Sequence, residues 1–213
     1  MAECKLRSAN QMTGRKIQNH NKARESLRGF WSLFATQFQG AFSDNLYKFL
    51  AIFFVMKSFE GDSSKIDSLI PVIGGVFSVP FIVFSLAGGY LSDRYSKKMV
   101  AVGTKLAEVL IMILATFALM QGNVFFIVAV IFLMSTQSAF FGPAKYGSLP
   151  ELLPPEKLAW GNGVIGMGTN MAIILGMVAA GFISDRVNTS SPKAGLVLVG
   201  LAIVGLVCSL GIT

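Results

Sequence analysis

Apolar residues along this chain gather into six long runs separated by short polar segments: Phe30–Met56, Leu69–Ser92, Met99–Met120, Val124–Phe141, Leu158–Ile183 and Ala194–Thr213. Each run, if helical, is close to the ~20 residues that cross the ~30 Å hydrocarbon core of a bilayer. The pattern therefore predicts six transmembrane helices joined by short connections, a compact all-α membrane bundle. Glycine is abundant inside the runs. Span two holds Gly74, Gly75, Gly88, Gly89 and Pro80, and span five holds Gly161, Gly163, Gly166, Gly168, Gly176 and Gly181. In a membrane such residues let helices approach closely and bend, so these two helices are expected to move against their neighbours. A short internal echo points the same way. Gly89-Tyr90-Leu91-Ser92-Asp93-Arg94 closes span two and Gly181-Phe182-Ile183-Ser184-Asp185-Arg186 closes span five. Spans two and five are equivalent in a three-plus-three inverted repeat.

Composition strengthens this picture. Hydrophobic residues make up 53% of the 213 positions and charged residues 14%, against about 25% charged in soluble domains; mean hydropathy is +0.62. The net charge of +7 follows topology and does not imply a nucleic-acid partner. Seven basic residues lie in 1–29, three between spans two and three (Arg94, Lys97, Lys98) and two between spans four and five (Lys145, Lys157), which puts twelve on one side. The other side has four: Lys57, Lys65, Arg186 and Lys193. By the positive-inside rule the N-terminus is cytoplasmic. Residues 1–29 have no apolar core or cleavage site of a signal peptide and are expected to be a retained tail, disordered or lying on anionic lipid; residues 30–213 form the transmembrane unit. The last span ends at Thr213 with no charged anchor after it, which predicts a chain continuing in a longer protein. Cys4 and Cys208 form no disulfide or zinc pattern, His20 lies in the tail, and neither a nucleophile nor a metal or cofactor site is expected.

Polar residues inside the spans carry the candidate chemistry. At about 100° per residue, Gln37, Ala41, Asp44, Asn45 and Lys48 share one arc of span one, with Gln39 on the opposite face. Asp44 and Lys48 are i,i+4 partners able to neutralise each other. An uncompensated charge at mid-bilayer costs about 2.5–3.5 kcal/mol even on a lenient scale, so the stripe is expected to face a wet cavity or a polar partner. Lys145 follows Gly142-Pro143, which is expected to break span four. Its side chain either snorkels to lipid phosphates or turns inward to Asp44 or an anionic head group. Ser135, Thr136, Gln137 and Ser138 add polarity to span four, and Asn162, Gly166, Thr169 and Asn170 form a stripe on span five. Lys105 and Glu108, spaced i,i+3, are expected to be a shallow structural ion pair. Gly161-Asn162-Gly163-Val164-Ile165-Gly166 matches a dinucleotide fingerprint, but no strand precedes it, so helix packing explains it.

Gly89-Tyr90-Leu91-Ser92-Asp93-Arg94-Tyr95-Ser96-Lys97-Lys98 resembles the signature that follows span two in the major facilitator superfamily, G-x-L-x-D-R-x-G-R/K-R/K, with Ser96 in place of the final glycine. The resemblance implies a cytoplasmic gate at Gly89, Asp93, Arg94, Lys97 and Lys98. Two further stretches are similar to the lysophospholipid transporter branch: Thr36-Gln37-Phe38 through Phe42-Ser43-Asp44-Asn45, and Phe141-Gly142-Pro143-Ala144-Lys145-Tyr146-Gly147 with Leu149-Pro150-Glu151. That branch carries lysophospholipids across the bacterial inner membrane for reacylation, and some members are fused to acyltransferase and synthetase modules. It implies that Asp44, Asn45 and Lys145 serve the head group or an internal charge pair; Lys48 and Gln37, on the same arc of span one, are candidates for the same role. Gln137, Asn162 and Asn170 are cavity-lining candidates. It also implies twelve spans, of which this chain has the N-terminal six, so a second six-span half is an expected partner. Span-one phenylalanines (Phe34, Phe38, Phe42, Phe49, Phe53, Phe54) either line the path of the acyl chain or face lipid. The alternatives are an exporter of another amphiphile or drug, and a membrane anchor for a fused acyltransferase.

Overall fold

The computed structural model describes residues 2–186 and 192–212, and of residues 2–26 and 192 only the backbone. Cys4, His20, Thr213 and the basic side chains from Lys5 to Arg24 lie outside that description. Among the described residues there are six α-helices and no strand: α1 (Ala2–Ser58), α2 (Ser63–Arg94), α3 (Lys97–Gln121), α4 (Val124–Leu152), α5 (Leu158–Arg186) and α6 (Pro192–Leu210), with a 3-10 turn at Pro155–Lys157 before α5. α1 runs back through the basic segment to Ala2, where the sequence left open a disordered tail or one lying on lipid.

Side-chain caps set several boundaries. Asp62 accepts a hydrogen bond from the Lys65 amide (3.2 Å), Ser96 from Met99 (3.2 Å) and Asn123 from Phe125 and Phe126 (3.0 and 3.3 Å). Each occupies an amide that helix geometry leaves unpaired. Ser96, where the family signature has glycine, sits at φ −60° and ψ 135°, so no left-handed conformation is required there. Gly122 does adopt one (φ 64°) and ends α3.

Gly142-Pro143 does not break span four. α4 passes through Pro143 and Pro150 to Leu152. A proline removes one amide donor, and in a packed membrane bundle neighbouring helices compensate the freed carbonyl. Lys145 is therefore on a helix and not in a loop.

Among the described residues, five helical segments are long and apolar enough to cross a membrane: Ser63–Arg94, Lys97–Gln121, Val124–Leu152, Pro155–Arg186 and Lys193–Leu210. α1 is not among them, because the polar stripe from Gln37 to Lys48 dilutes its apolar run. It is the helix sheltered by the others, packing on α5, α6 and α4. The remaining principal pairs are α2 with α4, α3 with α6 and α3 with α4. Two crossings are closed by glycine. A Cβ at Gly176 of α5 would stand 2.7 Å from the Phe42 carbonyl oxygen, and one at Gly88 of α2 would stand 3.0 Å from that of Ala139.

The core has two parts. A larger cluster around Leu46, Tyr47, Leu50, Ile127, Ile131 and Met134 fills the half of the bundle near the end of α1. A smaller one at the opposite end joins Phe30 and Leu33 to Leu149, Leu152 and Ile165. Trp31 and Trp160, both about half exposed, flank Phe30 there, as aromatic side chains do at a membrane–water boundary.

Candidate functional site

A cavity of about 450 Å³ lies between α1, α2, α4 and α5, with one contribution from α3. It collects the residues that span one presents at helical spacing. Gln37, Asp44, Asn45 and Lys48 all line it, joined by Gln137, Ser138 and Lys145 of α4, Thr169 of α5 and Lys105 of α3. Phe77, Phe81 and Phe141 supply apolar wall.

The expected Asp44–Lys48 ion pair does not form. Lys48 Nζ donates instead to Asn45 Oδ1 (2.8 Å) and lies over the rings of Phe77 (4.3 Å) and Phe49 (5.0 Å). Successive turns of one helix offer Lys48 this nearer acceptor at i−3, and the aromatic faces hold its charge. Asp44 is only 6% exposed. Its Oδ2 accepts a hydrogen bond from Ser138 Oγ at 2.5 Å, and its Oδ1 has no partner among the described residues. Asn45 Nδ2 donates back to the Ala41 carbonyl (2.8 Å), and Gln37 Nε2 donates to Thr169 Oγ1 (3.0 Å), tying α1 to α5 at the cavity wall.

Of the two courses open to Lys145, the side chain takes the inward one. It is 7% exposed, lines the cavity and lies 4.4 Å from the Tyr146 ring. No hydrogen bond or ion pair to it occurs among the described residues. The cavity thus offers a buried carboxylate oxygen and, on a side chain 7% exposed, an ammonium, neither with a polar partner among the described residues. An unpaired carboxylate oxygen is costly to bury.

Lys105 and Glu108 form the expected ion pair, at 2.6 Å, and it is enclosed by the bundle: both side chains are 1% exposed. Gln39 completes it, accepting from Lys105 (2.8 Å) and donating to Glu108 (2.9 Å) and to Ser43 (2.7 Å). α1 therefore has two polar faces, one on the cavity and one on α3. The Gln39–Ser43 spacing of four residues was the signal for the second.

Other candidates fall elsewhere. Asn162 and Asn170 are exposed and do not line the cavity. α5 faces it through Thr169 and Ile173, which leaves Asn170 about 100° round the helix and Asn162 about two turns away along it. None of the six span-one phenylalanines lines the cavity. Phe34 instead packs against Gly168, and Phe54 enters the larger core cluster. The glycines of the apparent dinucleotide motif lie in α5, where a Cβ at Gly161 would run into the Leu153 side chain. This is a packing position.

A second cleft of about 440 Å³ lies where α2 meets α3, lined by Asp93, Lys97, Lys98 and, from α4, Ser148 and Glu151. Lys97 pairs with Glu151 at 2.5 Å, and Arg94 donates to the Tyr90 hydroxyl at 2.8 Å. Gly89 is not part of this cleft and faces open space.

A bundle of membrane helices enclosing a charged midspan cavity, with the Gly89–Lys98 signature at one end, defines a secondary transporter. The sequence matches the profile of the Major Facilitator Superfamily over residues 33–212, and the chain belongs to that superfamily, a family of transporters and not of enzymes. Among known proteins it is similar to the lysophospholipid transporter LplT of Salmonella heidelberg, Salmonella agona and Salmonella enteritidis, 33% identical in each case over 161 residues. The match covers 74% of this chain and 37% of each relative, so the chain spans well under half the length of these transporters.

Proposed function

We propose that this chain is the N-terminal six-helix half of a transporter that moves lysophospholipids across the bacterial inner membrane by alternating access, its N-terminus in the cytoplasm. The observation that carries the reading is the cavity itself. Asp44 and Lys145 stand buried in one chamber, each with polar capacity unused by the protein, inside helices otherwise suited to lipid. A lysophosphatidylethanolamine head group has the complementary pair of charges, an ammonium for Asp44 and a phosphate for Lys145. Charge-assisted contacts of this kind are the stronger class of hydrogen bond. The apolar wall of Phe77, Phe81 and Phe141 suits the neighbouring part of the acyl chain.

Helix pairing supports a three-plus-three repeat. Exchanging α1–α3 with α4–α6 turns the α1–α5 contact into α4–α2 and the α1–α6 contact into α4–α3, and leaves α3–α6 unchanged; all are principal contacts of the bundle. Rocking of this half against a second six-span half then opens the cavity to each side in turn. The cleft with Lys97 and Glu151 lies where a cytoplasmic latch is needed.

Asp44→Ala tests the assignment. In the protein expressed from its native gene, the variant is expected to reach the membrane at the normal level and to abolish lysophospholipid uptake by spheroplasts. Unaltered uptake would remove Asp44 from the site and the reading with it.

A further inference from the structure

Lys105 belongs to α3, which packs chiefly on α6 and α4, yet its side chain reaches the cavity. It does so beside Gly40, where a Cβ would stand 2.7 Å from the ammonium nitrogen. The side chain is 1% exposed, and its nitrogen lies 2.6 Å from Glu108 Oε2 and 2.8 Å from Gln39 Oε1. Gln39 is itself fixed through its amide to Glu108 and Ser43.

A buried ion pair is a poor device for stability alone, since desolvation of both charges offsets their attraction and apolar residues of similar volume often serve as well. Nor does a packing role explain why this ammonium reaches the cavity wall. Lysine has three N–H donors. Two are engaged, and with Lys105 neutralised by Glu108 the lining still holds Lys48 and Lys145 against one carboxylate, Asp44, among the described residues. That leaves one cationic group in excess, which an anion would balance.

We propose that Lys105 is an anion-binding residue of the transport cavity, its third N–H taking a phosphate oxygen of the head group. Gln39 and Glu108 are positioning residues that hold the ammonium against the wall. This rests on the lysophospholipid reading of the cavity. Glu108 has a second effect: its negative charge opposes that of the incoming phosphate.

Equilibrium binding of lysophosphatidylethanolamine to the native-gene protein in nanodiscs tests the proposal, with monoacylglycerol, which lacks the phosphate, as control. The double variant Lys105→Met/Glu108→Leu removes the pair as a unit, so no lone charge stays buried. It is expected to fold with a lowered thermal midpoint, because buried Gln39 loses two partners, while Kd for the lysophospholipid rises roughly ten- to a hundredfold, the loss of one hydrogen bond to a charged group. Monoacylglycerol binding is expected to stay unchanged. Glu108→Gln keeps the acceptor that faces Lys105, gives up the one that faces Gln39 and removes the opposing charge, so it is expected to bind the lysophospholipid at least as tightly as the wild type. Wild-type affinity in a folded double variant overturns the proposal and leaves Lys105 a structural residue. If the double variant does not fold, Glu108→Gln decides, and weaker binding there overturns it. Failure of the wild type to bind any lysophospholipid is a separate result, which overturns the functional reading first.

Discussion

Gly176→Ala adds a single methyl where α5 crosses α1, and the structure fixes what that methyl meets. Its carbon would stand 2.7 Å from the Phe42 carbonyl oxygen, 3.1 Å from the Leu46 amide nitrogen and 3.3 Å from Asn45 Cβ. The first two are backbone atoms of a packed helix and have no rotamer to change. Restoring ordinary contact at ~3.5 Å requires the helices to part by somewhat under 1 Å, and overpacking of this kind typically costs about 1–3 kcal/mol. Gly163, on the same helix, meets nothing within 4 Å. There alanine is expected to stabilise, by up to about 1 kcal/mol from helix propensity. The two variants should differ by about 1–4 kcal/mol, which corresponds to roughly 2–16 °C in thermal midpoint for a domain of this size. Thermal unfolding of both in nanodiscs measures the difference. Because Asn45 borders the crossing and lines the cavity, Gly176→Ala should also reduce lysophospholipid uptake where Gly163→Ala does not. Equal midpoints for the two variants would refute the close crossing.

Lys145→Ala is expected to weaken lysophospholipid binding roughly ten- to a hundredfold, the scale of one charge-assisted contact; charge reversal at Lys145 with unchanged uptake would return the side chain to the lipid surface. Lys97→Glu should slow uptake through loss of the Glu151 partner, and the swap Lys97→Glu/Glu151→Lys should restore it. Since the two side chains are 26% and 61% exposed, the stability change should stay below about 1 kcal/mol and shrink with added salt.

Much of the bundle was legible in the apolar runs, because a bilayer imposes one length and one secondary structure on whatever crosses it. The cavity stripe on α1 was legible for a related reason. Gln37, Asp44, Asn45 and Lys48 have no tolerable position on a lipid face, so their shared arc marked the interior. What helical angle alone does not give is the choice among competing partners. Lys48 had Asp44 at i−4 and Asn45 at i−3, and the aromatic rings that favour the second arrangement come partly from α2. Burial within the bundle was the other missing quantity. Lys105 and Glu108 were legible as a pair from their spacing, but Gln39, the group that makes their burial tolerable, is 66 positions before Lys105 on another helix. Pro143 misled because the sequence shows a missing amide donor and not the neighbours that make up for it.

The polarity of α1 has a consequence for how the protein is made. Of the described helices it is synthesised first and is the least apolar, and the helix on which it packs most, α5, does not exist until Leu158 and its successors have been synthesised. Insertion of these helices is therefore expected to be cooperative, with α1 settling fully only when later helices arrive to shelter Asp44 and Lys48. A ribosome stalled between α4 and α5 would leave it open to extraction and degradation.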